Sequence, residues 1–500
     1  MNVTRIAILA VLALALVGCR KSYNAHMDPV VGALQDGRLE SAERSVRYLA
    51  AEIDGSYGEL RSYRESRGEP RPPALDALLA RVEQGSVYHT VGLLDEALFA
   101  LDRADEIIAV HDDRPYIRLV NEGGAAFTNL TFLPYRGTQA DRILVPTLKT
   151  LILLELGDYE GARREAVSIR NRQTDAADRY TEKIEAENAA AAEALGRREG
   201  RGAADALQDP RLAESTRARM RAAGGDLTEA EGYALRGEGM FLNPYAEYVA
   251  GLTWLLTAES SGDLDQARRS FDRVQRMLPD RVSKETVALL QDAADRGAAG
   301  TPGVTHVIFA EGFAPRLEEF RLDLPLIFVT DRLSSFNIAI PFLQRQPSSA
   351  PYLTVYADGT RYRSEIVADM DEVIGSEFNA RLPGIITKSV TIAVFKSAVA
   401  AGLQSVGRDG RSNGTADAAV QIATLLWLTA SNQADLRTWR TLPKTYQILA
   451  IPTPDNRVLE LQTPDGRPVR IELSGGRSNV VLVRHVYPGT PLLVREFPVP

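Results

Sequence analysis

Two hydrophobic patterns divide the chain. From residue 28 to about 296, apolar positions recur with the period of amphipathic helices, whereas short β-branched and aromatic runs predominate from residue 304 onward. The pattern predicts a multidomain α+β protein. Its parts are an all-α N-terminal domain at 28–296, a linker at 297–303, a mixed region with strands and a helical hairpin at 304–445, and strands of a small C-terminal β-sandwich at 446–500.

A short motif recurs in the helical part. The pattern Gly, any residue, Leu or Tyr, acidic, any residue, Ala occurs at 37–42, 92–97, 157–162 and 262–267. Each Gly is expected to close a helix in a left-handed cap, and each Ala to let two helices pack closely. The motif resembles the turn of the tetratricopeptide repeat, which implies stacked helix pairs. The copies are spaced irregularly and not at the ~34 residues of a regular array, so a generic helical bundle is the alternative.

Three other features interrupt or extend the helical pattern. The stretch Thr174–Leu207 is rich in Ala, Glu and Arg and predicts a long helix with a solvated face. Asn243 is expected to cap a helix whose first position is Pro244. The loop LPYRGT at 133–138 contains two helix breakers, and it presents Tyr135 and Arg136 as a candidate interaction loop. A purely structural role for these two side chains is an equal alternative.

The C-terminal half reads as strands around helical segments. Strands are predicted at 304–310, 321–326 and 337–341, and a hairpin at 352–362 has Asp358-Gly359 at its turn. Helical periodicity returns at 364–403 and at 416–429. Short strands separated by turn residues then follow at 447–452, 458–461, 469–473 and 480–486.

The N-terminus has the pattern of a lipoprotein signal. Arg5 is the only charged residue before an apolar run that ends in the tetrapeptide LVGC, whose last residues are Gly18 and Cys19. A signal peptide at 1–18 is therefore predicted, with cleavage between Gly18 and Cys19 and lipid attached to the Cys19 thiol. The alternative is a short transmembrane anchor, but the run falls short of the ~20 residues that span a bilayer.

Cys19 is also the only cysteine in the 500 residues, which excludes a disulfide within the chain. After acylation, a tether at 19–27 would join the membrane to the first helix. Arg20 stands where Asp commonly retains lipoproteins in the inner membrane, so the sequence favours an outer-membrane lipoprotein that faces the periplasm.

Composition limits the class of partner. With 45% hydrophobic and 25% charged residues, the chain can bury a sizeable core. Its net charge of −8 gives no support to nucleic-acid binding, which selects basic patches. The expected partners are the membrane, through the N-terminal lipid, and unidentified envelope proteins. No small-molecule substrate is indicated.

The sequence contains few patterns typical of catalytic sites. The five histidines have no metal-binding spacing, and Lys388-Ser389 lacks the preceding Gly of a phosphate-binding loop. Carboxylates cluster at 365–372, and Glu365, Asp369 and Glu372 would share one face of a helix. A solvated helix face explains them better than an acid pair or a cation site. No catalytic residue, metal site or cofactor is therefore predicted.

Several stretches together resemble an uncharacterised family of bacterial outer-membrane lipoproteins with tetratricopeptide-like helices. They are the LVGC tetrapeptide, TFLPYRG at 131–137, LGDYEGA at 156–162, NPYAEYVAGL at 243–252 and ADLRTWRTLP at 434–443. Members are often encoded near lipoproteins similar to the penicillin-binding-protein activators, which implies a role in the cell envelope. The long Ala/Glu/Arg insertion departs from the usual repeats.

The leading hypothesis is a lipid-anchored scaffold for protein–protein interaction in the periplasm, because repeat-like helices offer extended binding surfaces. One alternative is a regulator of peptidoglycan synthesis that acts on a cell-wall synthase. The other is an envelope hydrolase that would use Glu365, Asp369 and Asp371.

Overall fold

The architecture comes from a computed structural model. It describes residues 23–113, 133–195, 218, 233–235, 239–279, 281–282, 284–300, 303–325, 335–407 and 433–499. The predicted cleavage site at Gly18 and Cys19 and the predicted helix at 416–429 lie outside the described residues.

The part before residue 303 is mainly helical, as predicted. Its helices are α1 (Tyr23–Gln35), α2 (Leu39–Asp54), α3 (Tyr57–Arg67), α4 (Ala77–Val91), α5 (Leu94–Asp112), α6 (Gln139–Leu156), α7 (Tyr159–Leu195), α8 (Pro244–Leu256), α9 (Ser261–Met277) and α10 (Lys284–Gly300). A small hairpin of β1 (Tyr233–Leu235) and β2 (Gly239–Leu242) precedes α8 and was not predicted.

Three of the four motif glycines end a helix as expected. Gly37, Gly92 and Gly157 have φ values of 70°, 84° and 76°, so they adopt the left-handed conformation that favours glycine. The prediction is wrong for Gly262, which lies in the first turn of α9. Ser260 caps that helix through a capping box with Asp263, and a longer turn therefore joins α8 to α9.

Consecutive helices pack in pairs, namely α4 with α5, α6 with α7 and α8 with α9. The motif alanines in these pairs are fully buried, as predicted. Gly85 lets α4 lie close to α5, because a Cβ atom there would lie 2.6 Å from Leu101 Cγ. Small residues therefore set the distance between paired helices.

Several predicted boundaries change. The first helix begins at Tyr23 and not at 28, and Tyr23 and Met27 are buried, which shortens the predicted tether. The predicted linker is also shorter, because α10 continues to Gly300. The helix predicted over Thr174–Leu207 is confirmed for its described part, 174–195, which belongs to α7. The rest of that prediction, 196–207, lies outside the described residues. Asn243 caps α8 by accepting hydrogen bonds from two backbone N–H groups, as predicted.

In the described residues after 303, strands surround one long helix, α11 (Met370–Gly407). Its strands are β3 (Val304–Glu311), β4 (Arg316–Pro325), β5 (Ser335–Gln344), β6 (Thr354–Ala357), β7 (Thr360–Arg363), β8 (Glu365–Asp369), β9 (Thr445–Pro452), β10 (Val458–Gln462), β11 (Val469–Glu472), β12 (Ser478–His485) and β13 (Leu493–Val499).

These strands form three sheets. A five-stranded sheet has the order β13-β12-β3-β9-β8, a four-stranded sheet has the order β11-β10-β6-β7, and β4 pairs with β5. All neighbours are antiparallel except β12 and β3, which are parallel. The tail at 446–500 therefore forms no separate sandwich, because β9 and β12 both pair with β3 and β10 pairs with β6.

The five-stranded sheet has an apolar face on each side. Val307, Phe309 and Val481 pack with Val355 and Leu459 of the four-stranded sheet. On the other face, residues such as Ile308 and Leu482 belong to a core cluster that extends through the helices from Tyr23 onward. The helical and strand-rich parts thus share one core, and the predicted boundary near 303 does not separate two cores.

One helix prediction is wrong at its start. The segment Glu365–Asp369 is strand β8, paired with β9, and α11 begins only at Met370. Glu365, Asp369 and Glu372 therefore do not share a helix face. Within the described ranges, no helix is both long enough and apolar enough to cross a bilayer.

Candidate functional site

A cavity lies where the helical and strand-rich parts of the described chain meet. We call it the junction cavity. Its walls come from the loop 133–138, helices α7 and α11, strands β4 and β5, and the segment 435–438. Its volume of about 200 Å³ equals that of roughly seven water molecules at ~30 Å³ each. It is the candidate site because the predicted interaction loop forms one of its walls.

The loop itself is anchored more firmly than predicted. Tyr135 is only 9% exposed, so its side chain packs inward. Its hydroxyl donates to Asp141 Oδ2 at 2.6 Å, and its backbone N–H donates to the carbonyl of Leu75 at 2.8 Å. Thr138 and Asp141 form a capping box at the start of α6. Burial raises the pKa of Asp141 to about 6. Tyr135 and Arg136 nevertheless both line the cavity.

Arg437 fastens the loop to the C-terminal half. This buried guanidinium donates to Asp76 Oδ1 at 3.0 Å, to the carbonyl of Leu133 at 2.8 Å and to Asp435 Oδ1 at 2.8 Å. It also lies 5.8 Å from the centre of the Tyr135 ring. The described part of the TFLPYRG stretch, 133–137, and the ADLRTWRTLP stretch at 434–443 therefore meet at one wall of the cavity.

Glu377 on α11 joins three helices at the cavity floor. Its carboxylate accepts from the backbone N–H groups of Gln139 and Ala140 at 2.9 and 3.3 Å, and from the Tyr180 hydroxyl at 2.5 Å. The first two donors are the free N–H groups at the start of α6, where the helix dipole favours negative charge. Sequence reasoning missed Glu377, since 238 positions separate it from Gln139 and no local pattern marks the pair.

Cationic side chains also line the cavity. Arg381, one turn beyond Glu377 on α11, lies 3.6 Å from a Glu377 oxygen and 3.8 Å from a Glu187 oxygen. Lys183 of α7 lies at the exposed edge, with its Nζ atom 5.6 Å from the centre of the Tyr180 ring. Partial desolvation by neighbouring atoms and the nearby Arg142 guanidinium lower the pKa of Lys183. Arg136 and Lys388 complete this group.

Outside the cavity lining, Ser349, His485 and Glu311 form a cluster of the residue types found in a catalytic triad. The cluster is therefore relevant to the hydrolase alternative. Ser349 Oγ lies 3.0 Å from His485 Nδ1 and 3.1 Å from Glu311 Oε2, and it accepts from the Gly312 N–H at 3.0 Å. In a catalytic triad the acid would contact the second histidine nitrogen. Here that nitrogen lies 3.2 Å from the carbonyl of Thr490. The cluster instead ties the segment at 348–350 to strands β3 and β12.

Two carboxylates of the group at 365–372, Asp369 and Asp371, make contacts within the fold. Asp371 is buried and forms an ion pair with Lys444, while its backbone N–H donates to Asp369 Oδ1 at 2.9 Å. Burial raises the pKa of Asp371. Among the residues that the structure describes, no group of His, Cys, Asp and Glu side chains could hold a metal ion.

Comparison of the chain with protein-family models, with curated proteins and with solved structures gives no match.

Proposed function

We propose that this chain is a lipid-anchored lipoprotein of the cell envelope, located on the periplasmic face of the outer membrane. We also propose that it acts as a scaffold for protein–protein interaction. The observation that supports the scaffold role is the junction cavity. It lies between the two parts of the chain, and the loop 133–138 forms one of its walls. An open cavity with apolar and charged lining is a common form of recognition site.

Two features of the fold support this proposal. The paired helices with buried alanines at their turns favour a degenerate tetratricopeptide-like array, and such arrays present extended binding surfaces. The two sheets that share a core favour a sandwich-like module beside it. The anchor rests on the sequence alone, on the apolar run and the LVGC tetrapeptide.

The anchor is tested by Cys19→Ala and by globomycin, which blocks lipoprotein signal cleavage. Either treatment should change the membrane fraction or the apparent mass of the chain. If neither does, the lipid anchor is refuted, whereas the scaffold proposal stands on its own test.

The scaffold role is tested by photo-crosslinking in the native envelope. A photoreactive residue at Lys183, on the exposed edge of the cavity, should give discrete higher-mass products that contain envelope proteins. The matched control places the same residue at Tyr48, a 73% exposed side chain on α2 that is not part of the cavity lining. Equal products from both positions, or none from Lys183, would contradict a specific interaction site at the cavity.

A further inference from the structure

We propose that the junction cavity binds a carboxylate attached to a short apolar group, as presented by the C-terminal residue of a partner polypeptide, and that Arg381 receives the carboxylate. This inference rests on the proposed binding role of the cavity and names the chemistry that the cavity recognises.

The geometry of Arg381 is the first argument. Its guanidinium is 35% exposed at the side chain, and its nearest carboxylate oxygens in the described part of the chain are 3.6 and 3.8 Å away. Glu377 already accepts hydrogen bonds from Gln139, Ala140 and Tyr180, which leaves little of its capacity for Arg381. A planar guanidinium held in this way is suited to a bidentate bond with an added carboxylate.

The charge of the lining is the second argument. Five cationic side chains face the cavity with three acidic ones, which are Arg136, Lys183, Arg381, Lys388 and Arg437 with Glu187, Glu377 and Asp435. Asp435 accepts from Arg437, and apart from this pair the lining contains four cationic and two acidic side chains.

The apolar part of the lining and the cavity volume determine which chemical group can accompany the carboxylate. Apolar side chains such as Leu317, Leu343, Ile374 and Phe378 line the same space. The volume of about 200 Å³ admits a single residue but not a large ligand. Glu377 and Asp435 would repel a phosphate dianion more strongly than a carboxylate monoanion. The combination fits an apolar residue with a free terminal carboxylate.

The test is a ligand-observed NMR titration of the full chain in detergent with two acids, N-acetyl-leucine and N-acetyl-Ala-Ala-Leu, and with the C-terminal amide of each. We expect both acids to bind and both amides to bind about tenfold more weakly or worse, as loss of a charged hydrogen bond implies. Arg381→Gln should weaken acid binding to a similar degree, and Arg381→Lys should restore part of it. The matched control is Arg170→Gln, an exposed cation of α7 that bonds Gln266 outside the cavity, and it should change nothing.

The titration can overturn each part of the inference. Equal binding of acids and amides, or of wild type and a folded Arg381→Gln chain, refutes the carboxylate site. Competition by inorganic phosphate at the same concentration refutes the preference for a carboxylate. Tighter binding of the tripeptide supports a polypeptide end as the natural ligand, whereas equal affinity for N-acetyl-leucine refutes that source. Crosslinks from Lys183 without acid binding would refute this inference alone, and acid binding without crosslinks would refute the scaffold role alone.

Discussion

Glu83 on α4 offers a sharp test of how the two parts of the chain are held together. Its carboxylate is fully buried and accepts from the Arg440 N–H at 2.6 Å, the Thr441 N–H at 3.0 Å and the Thr441 hydroxyl at 2.5 Å. The Trp439 indole donates in turn to that hydroxyl at 3.3 Å. Glu83→Gln keeps the shape of the side chain but turns one acceptor into a donor that must face a backbone N–H group.

The loss of unfolding free energy expected for Glu83→Gln depends on pH. Burial raises the pKa of Glu83 to about 7 from an ordinary value of 4.5, although its hydrogen bonds and Arg440 lower it. Because the folded-state pKa lies above the unfolded one, the stabilisation by protonated Glu83 is complete below pH 4.5 and is lost as the pH rises through about 7. This difference in pKa corresponds to about 3 kcal/mol of unfolding free energy.

The Glu83→Gln side chain does not titrate, so this position adds no pH dependence to the unfolding free energy of the variant. At pH 5 we expect Glu83→Gln to be less stable by about 1–3 kcal/mol, the cost of one buried donor left without an acceptor. By pH 8 the wild type has lost about 3 kcal/mol through this site, so the variant should equal or exceed it. Other titrating groups cancel in the comparison.

Urea unfolding of both chains from Arg20 onward, followed by circular dichroism between pH 5 and 8, measures the difference. These chains keep every residue that the structure describes. A difference in unfolding free energy that stays constant over this range would show that Glu83 does not titrate there, and it would refute the reasoning from burial.

Two further substitutions test the loop and the helix pairs. Tyr135→Phe removes the hydroxyl that donates to Asp141, so it should lower the unfolding free energy by about 1.5–3 kcal/mol in urea, while Tyr48→Phe at a 73% exposed site should have no effect. Gly85→Ala places a methyl group 2.6 Å from a Leu101 carbon and should cost about 1–3 kcal/mol. Gly32→Ala in α1 meets no atom within 4 Å and should instead stabilise by about 0.5–1 kcal/mol. Thermal melting measures the effect of both glycine substitutions. Equal shifts in melting temperature for Gly85→Ala and Gly32→Ala would contradict this account.

The elements that sequence predicted well depend on neighbours in the chain. Gly92 and Gly157 end their helices because only glycine enters the left-handed region without strain. Asn243 and Pro244 begin α8 for an equally local reason, a side-chain cap and a preset φ angle. The hairpin at Asp358-Gly359 also forms where predicted, with φ values of 46° and 74°.

The sequence identified only part of the candidate site. The loop with Tyr135 and Arg136 was identified from its helix breakers, and it does line the junction cavity. Glu377, Arg381 and Lys183 were missed, because a charge on an amphipathic helix looks the same whether it faces water or a cavity.

What the sequence by itself determined is therefore the class of most described elements, the order of the main helical part before the strand-rich part, and the turns marked by glycine and capping residues. Only the tertiary structure decided which strands share a sheet, including the parallel pairing of β12 with β3. It also brought Glu83 to Arg440 across 357 positions, and Glu377 to the start of α6. Local conformation follows from sterics and capping between near neighbours, whereas these contacts exist only because one shared core positions distant segments together.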